Sequence, residues 1–362
     1  MFLGAIAGFS LGTQPAAAAQ LAAEFHLTSR ATALLLTVEG AAAMSTTFLL
    51  LWGARVCSPR TLAWAAAVVF GLANLLASRS ENYQALLLCR AFAGFGGGTL
   101  MILSLMSAAG CANPERVYGV WVVGQTLAST AGLYFLPRVF AVHGIAGGYF
   151  IMAMAMLMAV PLVLGFSTNR VRTPAAHIRG GQGWVAAASS LLALFLFYAS
   201  IAGIWAFAAK RGEAAHVPSG QVAADLSRAM IISLLGALLA VWIGHSARRY
   251  RLILAGHLLL AFSFVLFALA DTEPVFAAAV VVLQIAWAFG SPFLLSLSAE
   301  VEPAGSLMIP ANFALGAGLA AGPLLTGLIL DLHPGFSIAA AASGAMTALG
   351  LLVGWVGTRV ST

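Results

Sequence analysis

Two ionisable residues stand inside long apolar runs: Glu39 in LLLTVEGAAAM and Arg90 in LLLCRAFAGFGGG. A charge at the centre of a lipid-facing helix costs about 2.5–3.5 kcal/mol on insertion scales, so such residues turn inward and pair. Both lie about one turn outward of the middle of their runs. They are expected to face one another, with Glu39 the carboxylate that takes up and releases a proton and Arg90 its counter-ion. An ion pair that only fixes helix packing is the structural alternative. Arg138, after Pro137, and Asp225 with Arg228 at i, i+3 sit near the ends of two further runs, and the latter two are close enough to pair along a helix. Gln14 (between Thr13 and Pro15), Gln125, Tyr198, Trp205, Gln284 and Asn312 are uncharged but polar. They are expected to line a solute path or to hydrogen-bond between helices, the latter worth about 0.6 kcal/mol on average.

The elements that position these residues follow from composition. The chain has 362 residues, 61% hydrophobic and only 8% charged, against about 25% charged in an average soluble domain. Apolar runs near 20 residues match the length a helix needs to cross about 30 Å of hydrocarbon. Alternating ten-residue segments, the mark of a membrane barrel, are missing. An all-α polytopic membrane protein is therefore expected. Twelve transmembrane spans are predicted at 2–23, 31–53, 61–78, 84–109, 117–141, 145–166, 184–208, 222–244, 251–270, 275–298, 306–330 and 336–357. The first begins without a positive n-region and reads as a span, not as a cleaved leader. The polar, basic stretch STNRVRTPAAHIRGGQG separates two halves of six spans each: 1–166, a linker at 167–183, and 184–362.

Lys and Arg collect in the loops after even-numbered spans, at Arg55, Arg60, Arg116, Arg170, Arg172, Arg179, Arg248, Arg249 and Arg251. That bias puts those loops, the linker and both termini in the cytoplasm. It also accounts for the net charge of +6 without nucleic acid as a partner. The expected partners are the lipid bilayer, a small organic solute and protons, around a monomer in a bacterial-type inner membrane. Cys57, Cys89 and Cys111 are odd in number and lack metal-ligand spacing, so neither a disulfide framework nor a zinc site is expected. No nucleophile–base constellation points to an enzyme, and no cofactor or metal is expected.

The second span of each half ends in Trp, Gly and a short basic turn: LLLWGARVCSPRTLAW, with Gly53 and Arg60, and LLAVWIGHSARRYRLIL, with Gly244 and Arg249. Internal repeats of this kind mark secondary transporters. Six plus six spans, a basic central loop and this Gly-plus-basic turn resemble the major facilitator superfamily. Against the family's G-x-x-x-D-R-x-G-R-R loop pattern, the stretch from Gly53 to Arg60 keeps the glycine and a basic residue, but Cys57 stands where the acid belongs. Arg90, Gly94, Gly96 and Gly98 are similar to the R-x-x-x-G-x-G-x-G pattern in the fourth span of drug/proton antiporters. Gly124, Gly132 and Pro137 carry only part of the antiporters' fifth-span motif. The resemblance implies two pseudo-symmetric six-helix bundles, alternating access and proton-coupled transport, with efflux by antiport the leading function. It also implies that spans five and eight are neighbours, so that Arg138 with Asp225 and Arg228 would form an outer gate; snorkelling side chains are the alternative. Uptake of an organic anion by symport is the second reading, and a non-transporting sensor with the same fold the third.

Gly94 and Gly98 are spaced for close helix approach and do not form a nucleotide loop, since no strand precedes them. Among the histidines only His257 is predicted well inside a span.

Overall fold

A computed structural model describes residues 2–109, 114–168, 181–243, 249–301, 308–333 and 335–361. Among these the chain is helical, with no strand. Helices satisfy every backbone donor and acceptor within one segment, which is what a chain in hydrocarbon requires. The chain divides into two compact units, residues 1–173 and 174–362.

The first unit holds α1 (Phe2–Gly12), α2 (Gln14–Glu24), α3 (Ser29–Val56), α4 (Pro59–Ala77), α5 (Tyr83–Ala109) and α6 (Pro114–Ala159), followed by a 3-10 segment at Val160–Gly165. Within it α5 packs against both α3 and α4, and α1 packs against α5 and α6. The predicted span at 2–23 is two helices. Pro15 has no N–H to bond the carbonyl four residues back and its ring crowds that turn, so the helix breaks at Thr13, whose Oγ1 donates to the Phe9 carbonyl at 2.9 Å. The predicted spans at 117–141 and 145–166 form one long helix interrupted at Gly144, where φ is 61° and ψ −167°. There the Glu24 carboxylate accepts the Ile145 N–H at 2.7 Å, capping the new helix start where backbone donors are free and the dipole is positive. Ser58 and Pro59 open α4 in the ordinary way: the serine side chain accepts from Thr61 N, and proline takes a position whose N–H would go unused.

The second unit holds α7 (Gly181–Ala206), α8 (Ala208–Ala214), α9 (Ser219–Ile243), α10 (Arg249–Ala268), α11 (Glu273–Val301), α12 (Met308–Leu332) and α13 (Phe336–Ser361). Here α7 packs on α12 and α13, and α11 on α9 and α10. Close approach is set by small residues: a Cβ on Gly318 or Gly322 would strike the α7 backbone at Phe195 or Ala199, and Gly256 meets Gly290. Ten helices are long and apolar enough to cross a membrane among the described residues, with α6 carrying two predicted spans and α1 and α2 sharing one. Outward-facing Leu72, Leu76, Leu88, Leu258 and Trp242 are exposed, as lipid-facing side chains should be.

Both units close their first span alike. His26 (φ 50°) and His216 (φ 58°) take the left-handed conformation. The following N–H reaches back five residues, Leu27 to Ala22 and Val217 to Gly212, each at 3.1 Å. This is the Schellman helix end, at a position where histidine is one of the few tolerated side chains.

Candidate functional site

The Arg90 guanidinium is 2% exposed and every nitrogen has a partner. Nε and Nη2 form a fork on Glu39, at 3.2 Å to Oε2 and 2.7 Å to Oε1, while Nη1 donates to Asn74 Oδ1 at 2.9 Å. The Tyr149 ring covers the cation at 4.8 Å from its centroid. Asn74 is itself fixed, its amide donating to the Phe70 carbonyl. Ser10 adds a third hydrogen bond to Glu39, 2.7 Å to Oε1. Charge-assisted, forked bonds of this type are the stronger ones, and in a low-dielectric interior each unpaired group would be costly.

The glycine pattern explains why the pair can form. Arg90, Gly94 and Gly98 recur every four residues and so share one face of α5. That face meets α3: a Cβ on Gly94 would collide with the Glu39 carbonyl, and one on Gly98 with the Ala43 backbone. Gly96 points elsewhere, against Ala66 and Phe70 of α4. The glycines thus bring the α3 backbone within reach of the arginine one turn away.

The two partners differ in access. The Glu39 side chain keeps 16% of its exposure and Arg90 only 2%. Glu39 borders a cavity of about 30 Å³ inside the first unit, whose lining includes Ser10, Thr13, Gln14, Leu36 and Met152. That volume holds about two water molecules. The arrangement therefore offers a reachable carboxylate whose charge is held by a sealed cation.

The other predicted residues take separate places. Gln14 lies in this cavity, and Gln125 packs on α1 opposite Gly8. Tyr198 is buried and hydrogen-bonds with Ser291 and Trp287, and Gln284 is buried one turn before Trp287 on α11. Trp205 is buried near the end of α7, whereas Asn312 is exposed on α12. Arg138 folds over the Tyr134 ring at 4.3 Å and donates to the Tyr134 carbonyl. In the second unit Asp225 Oδ1 accepts from Arg228 at 2.7 Å and from Gln221 at 3.1 Å, leaving Oδ2 buried without a partner. Arg60 donates to the Phe166 and Leu164 carbonyls at 3.0 and 2.7 Å, so it caps the end of the first unit's last span. Gly53 is helical but the side chains around it, like that of Arg249, lie outside the described set, as does Gly244. Cys57 and Cys89 are free thiols, and Cys111 lies outside the described residues.

Sequence reasoning missed Asn74, Ser10 and Tyr149, the residues that complete the site. The signal for Asn74 was present, as the one carboxamide in the run AAAVVFGLANLLA. It also gave Arg211 no role. The structure buries it, with Nε on the Phe267 carbonyl at 2.8 Å and Nη2 on Asp271 at 3.0 Å.

Solved structures of similar fold include a mutant of the peptide transporter POT (TM-score 0.80, 13% identity, covering 99% of this chain and 93% of that one). A mutant of the nucleoside transporter NupG aligns with TM-score 0.73 and 12% identity over 100% of this chain and 98% of that one. A bacterial homolog of the human lysosomal transporter Spinster, inward-facing and occupied, aligns with TM-score 0.69 and 12% identity over 99% and 96%. No curated protein matches the sequence significantly. A sequence model of the Major Facilitator Superfamily matches residues 1–309, and the chain, a multi-pass helical membrane protein, belongs to that transporter family.

Proposed function

We propose that the chain is a proton-coupled secondary carrier of a small organic solute, working by alternating access in a bacterial-type inner membrane with both termini cytoplasmic. Efflux by antiport is the leading direction, on the fourth-span pattern that carries Arg90. The observation that supports coupling is the asymmetry of the ion pair: beside the cavity that both line, Glu39 keeps 16% of its side-chain exposure and Arg90 only 2%. A carboxylate in this setting can be protonated from water, and its protonation frees a buried guanidinium to seek new partners, which is a two-state element that rocking bundles can read. Arg138 with Asp225 and Arg228 remain the proposed outer gate, and Tyr198, Gln284, Trp205, Gln125 and Asn312 the proposed solute contacts. Uptake of an organic anion by symport is the second reading, favoured by the exposed Arg138 cation held over Tyr134.

The test uses purified protein in vesicles with a trapped pH dye, without an imposed potential. Small organic anions and lipophilic cations are added outside one at a time. Lumenal alkalinisation on adding one compound supports exchange and efflux, whereas acidification supports symport. Labelled solute that moves without any pH change contradicts proton coupling, and a chain that binds solute without moving it is a sensor.

A further inference from the structure

The Glu39 carboxylate takes three hydrogen bonds: Oε2 from Arg90 Nε at 3.2 Å, and Oε1 from Arg90 Nη2 and from Ser10 Oγ, both at 2.7 Å. Tyr149 of α6 stands over the guanidinium, and Asn74 of α4 reaches the carboxylate only through it. A guanidinium has donors and no acceptor, so Arg90 suits only the ionised carboxylate. A hydroxyl has one donor and two lone pairs, so Ser10 of α1 suits both protonation states. Helical serines ordinarily bond back to their own helix, as Ser190, Ser233 and Ser263 do, each to the carbonyl three residues earlier. Ser10 instead donates across to α3. The second unit holds a serine at the matching place: Ser10 stands sixteen residues before the left-handed His26, and Ser200 sixteen before the left-handed His216. Ser200 donates to the Phe197 carbonyl at 2.8 Å and accepts from Thr347 Oγ1 at 3.0 Å. One position thus carries a hydroxyl that donates across the bundle in the first unit and accepts across it in the second.

We infer that Ser10 is a positioning residue for the proton on Glu39, turning from donor to acceptor when Oε1 takes the proton up. The inference rests on the coupling role proposed for Glu39. It adds the oxygen that receives the proton and the group that then holds it. Only O–H bonds change: a hydronium proton bonds to Oε1 and leaves a water behind, and the new O–H donates to Ser10 Oγ. The Ser10 hydroxyl turns to the Ala7 carbonyl three residues back, the bond that Ser200 makes to Phe197. Oε1 is the site because the Oε2 side offers only Arg90 Nε, which accepts nothing. Arg90 Nη2 then gives up its bond to Oε1, while Asn74 keeps Nη1 and the Tyr149 ring keeps the face of the cation. The turning hydroxyl lies on α1, three residues before that span breaks at Thr13.

The probe is the proton itself. Infrared spectra of full-length protein in lipid nanodiscs, taken as the pH is lowered, follow the carboxyl C=O band that Glu39→Gln removes. Ser10→Val fills the place of the hydroxyl without an acceptor, Ser10→Ala empties it, and Ser10→Thr keeps an acceptor in the shape of valine. Ser263→Ala removes a buried serine that bonds only to its own helix and is the control. The expected result is a Glu39 band shifted to higher frequency in Ser10→Val and Ser10→Ala, the position of a carboxyl group whose O–H has no acceptor. In Ser10→Thr and Ser263→Ala it should stay at the wild-type frequency. A serine that only donates to the ionised form changes the pH at which the band appears and leaves its frequency alone; that outcome in folded Ser10→Val overturns the inference. If Glu39→Gln removes no band, the coupling role of Glu39 falls and Ser10 with it, an outcome that the first two spectra alone identify.

Discussion

The two units begin alike and diverge at their cores. Each ends its first span with a left-handed histidine and the same backward N–H bond, at His26 and at His216. Each relies on glycines to let helix backbones touch, Gly94 and Gly98 in one, Gly318 and Gly322 in the other. Yet the first unit buries an ion pair with an amide, a hydroxyl and an aromatic ring around it. The second unit carries neutral polar links, Thr347 to Ser200 at 3.0 Å and Tyr198 to Ser291 and Trp287. Its buried His257 holds the Ile253 carbonyl through Nδ1 and stacks near Phe197. Its buried cation, Arg211, clamps the end of a helix to an exposed Asp271 instead of sitting in the middle of the bundle. A duplicated scaffold thus constrains turns and helix approach, while the interior polar residues are free to differ. The first unit thus buries both partners of an ion pair deep between its helices, whereas each ion pair described in the second unit, Asp225 with Arg228 and Arg211 with Asp271, keeps one partner exposed.

Substitutions sharpen that contrast. The largest loss is expected for Arg90→Ala, which strands Glu39 in the interior; removing one partner of a buried pair costs about 3–5 kcal/mol. A thermal melt in detergent should show it, and the neutral pair Glu39→Gln with Arg90→Gln should recover part of the loss. Next come Gly94→Ala and Gly322→Ala. Each drives a methyl group into a neighbouring backbone, at about 1–3 kcal/mol for overpacking. Stability should fall in both, but proton-driven transport should be impaired beyond the stability loss only in Gly94→Ala, because only that contact sets the distance between Glu39 and Arg90. Equal transport defects would break the comparison. A smaller effect, about 0.6 kcal/mol, is expected for Thr347→Val, the average value of an interhelical hydrogen bond in a membrane. Smallest is replacement of His26 or His216 by glycine. The left-handed strain relieved and the chain entropy lost are each of order 1 kcal/mol or less, so both variants should melt within about 1 kcal/mol of wild type, and alike.

The fold was largely legible because its signals are collective. Runs of apolar residues and breaker residues fixed the spans to within a turn, and Glu39 with Arg90 stood out as charges in hydrocarbon. What escaped was local. Pro15 announced a break in the first span, but whether a proline kinks, caps or splits a helix depends on neighbours that periodicity does not specify. Gly144 sat in the predicted gap between two spans, yet the carboxylate cap that Glu24 places on Ile145 joins residues 121 positions apart. Ser10 and Tyr149 were invisible as site residues, and Asn74 showed only as a lone carboxamide in an apolar run, because helix rotation decides whether a lone polar side chain faces a cation or a lipid tail. Arg60 shows the same limit. The loop pattern marked it as part of a motif, and only the backbone path reveals that it caps the 3-10 segment at Phe166.

The measurement that tests the central claim most directly is an equilibrium infrared titration of full-length wild type and Glu39→Gln. The account predicts a carboxyl band that grows as the pH is lowered in wild type and is missing from Glu39→Gln, while Glu24→Gln retains it. A band that survives unchanged in Glu39→Gln would contradict the claim and place the coupled proton on another residue.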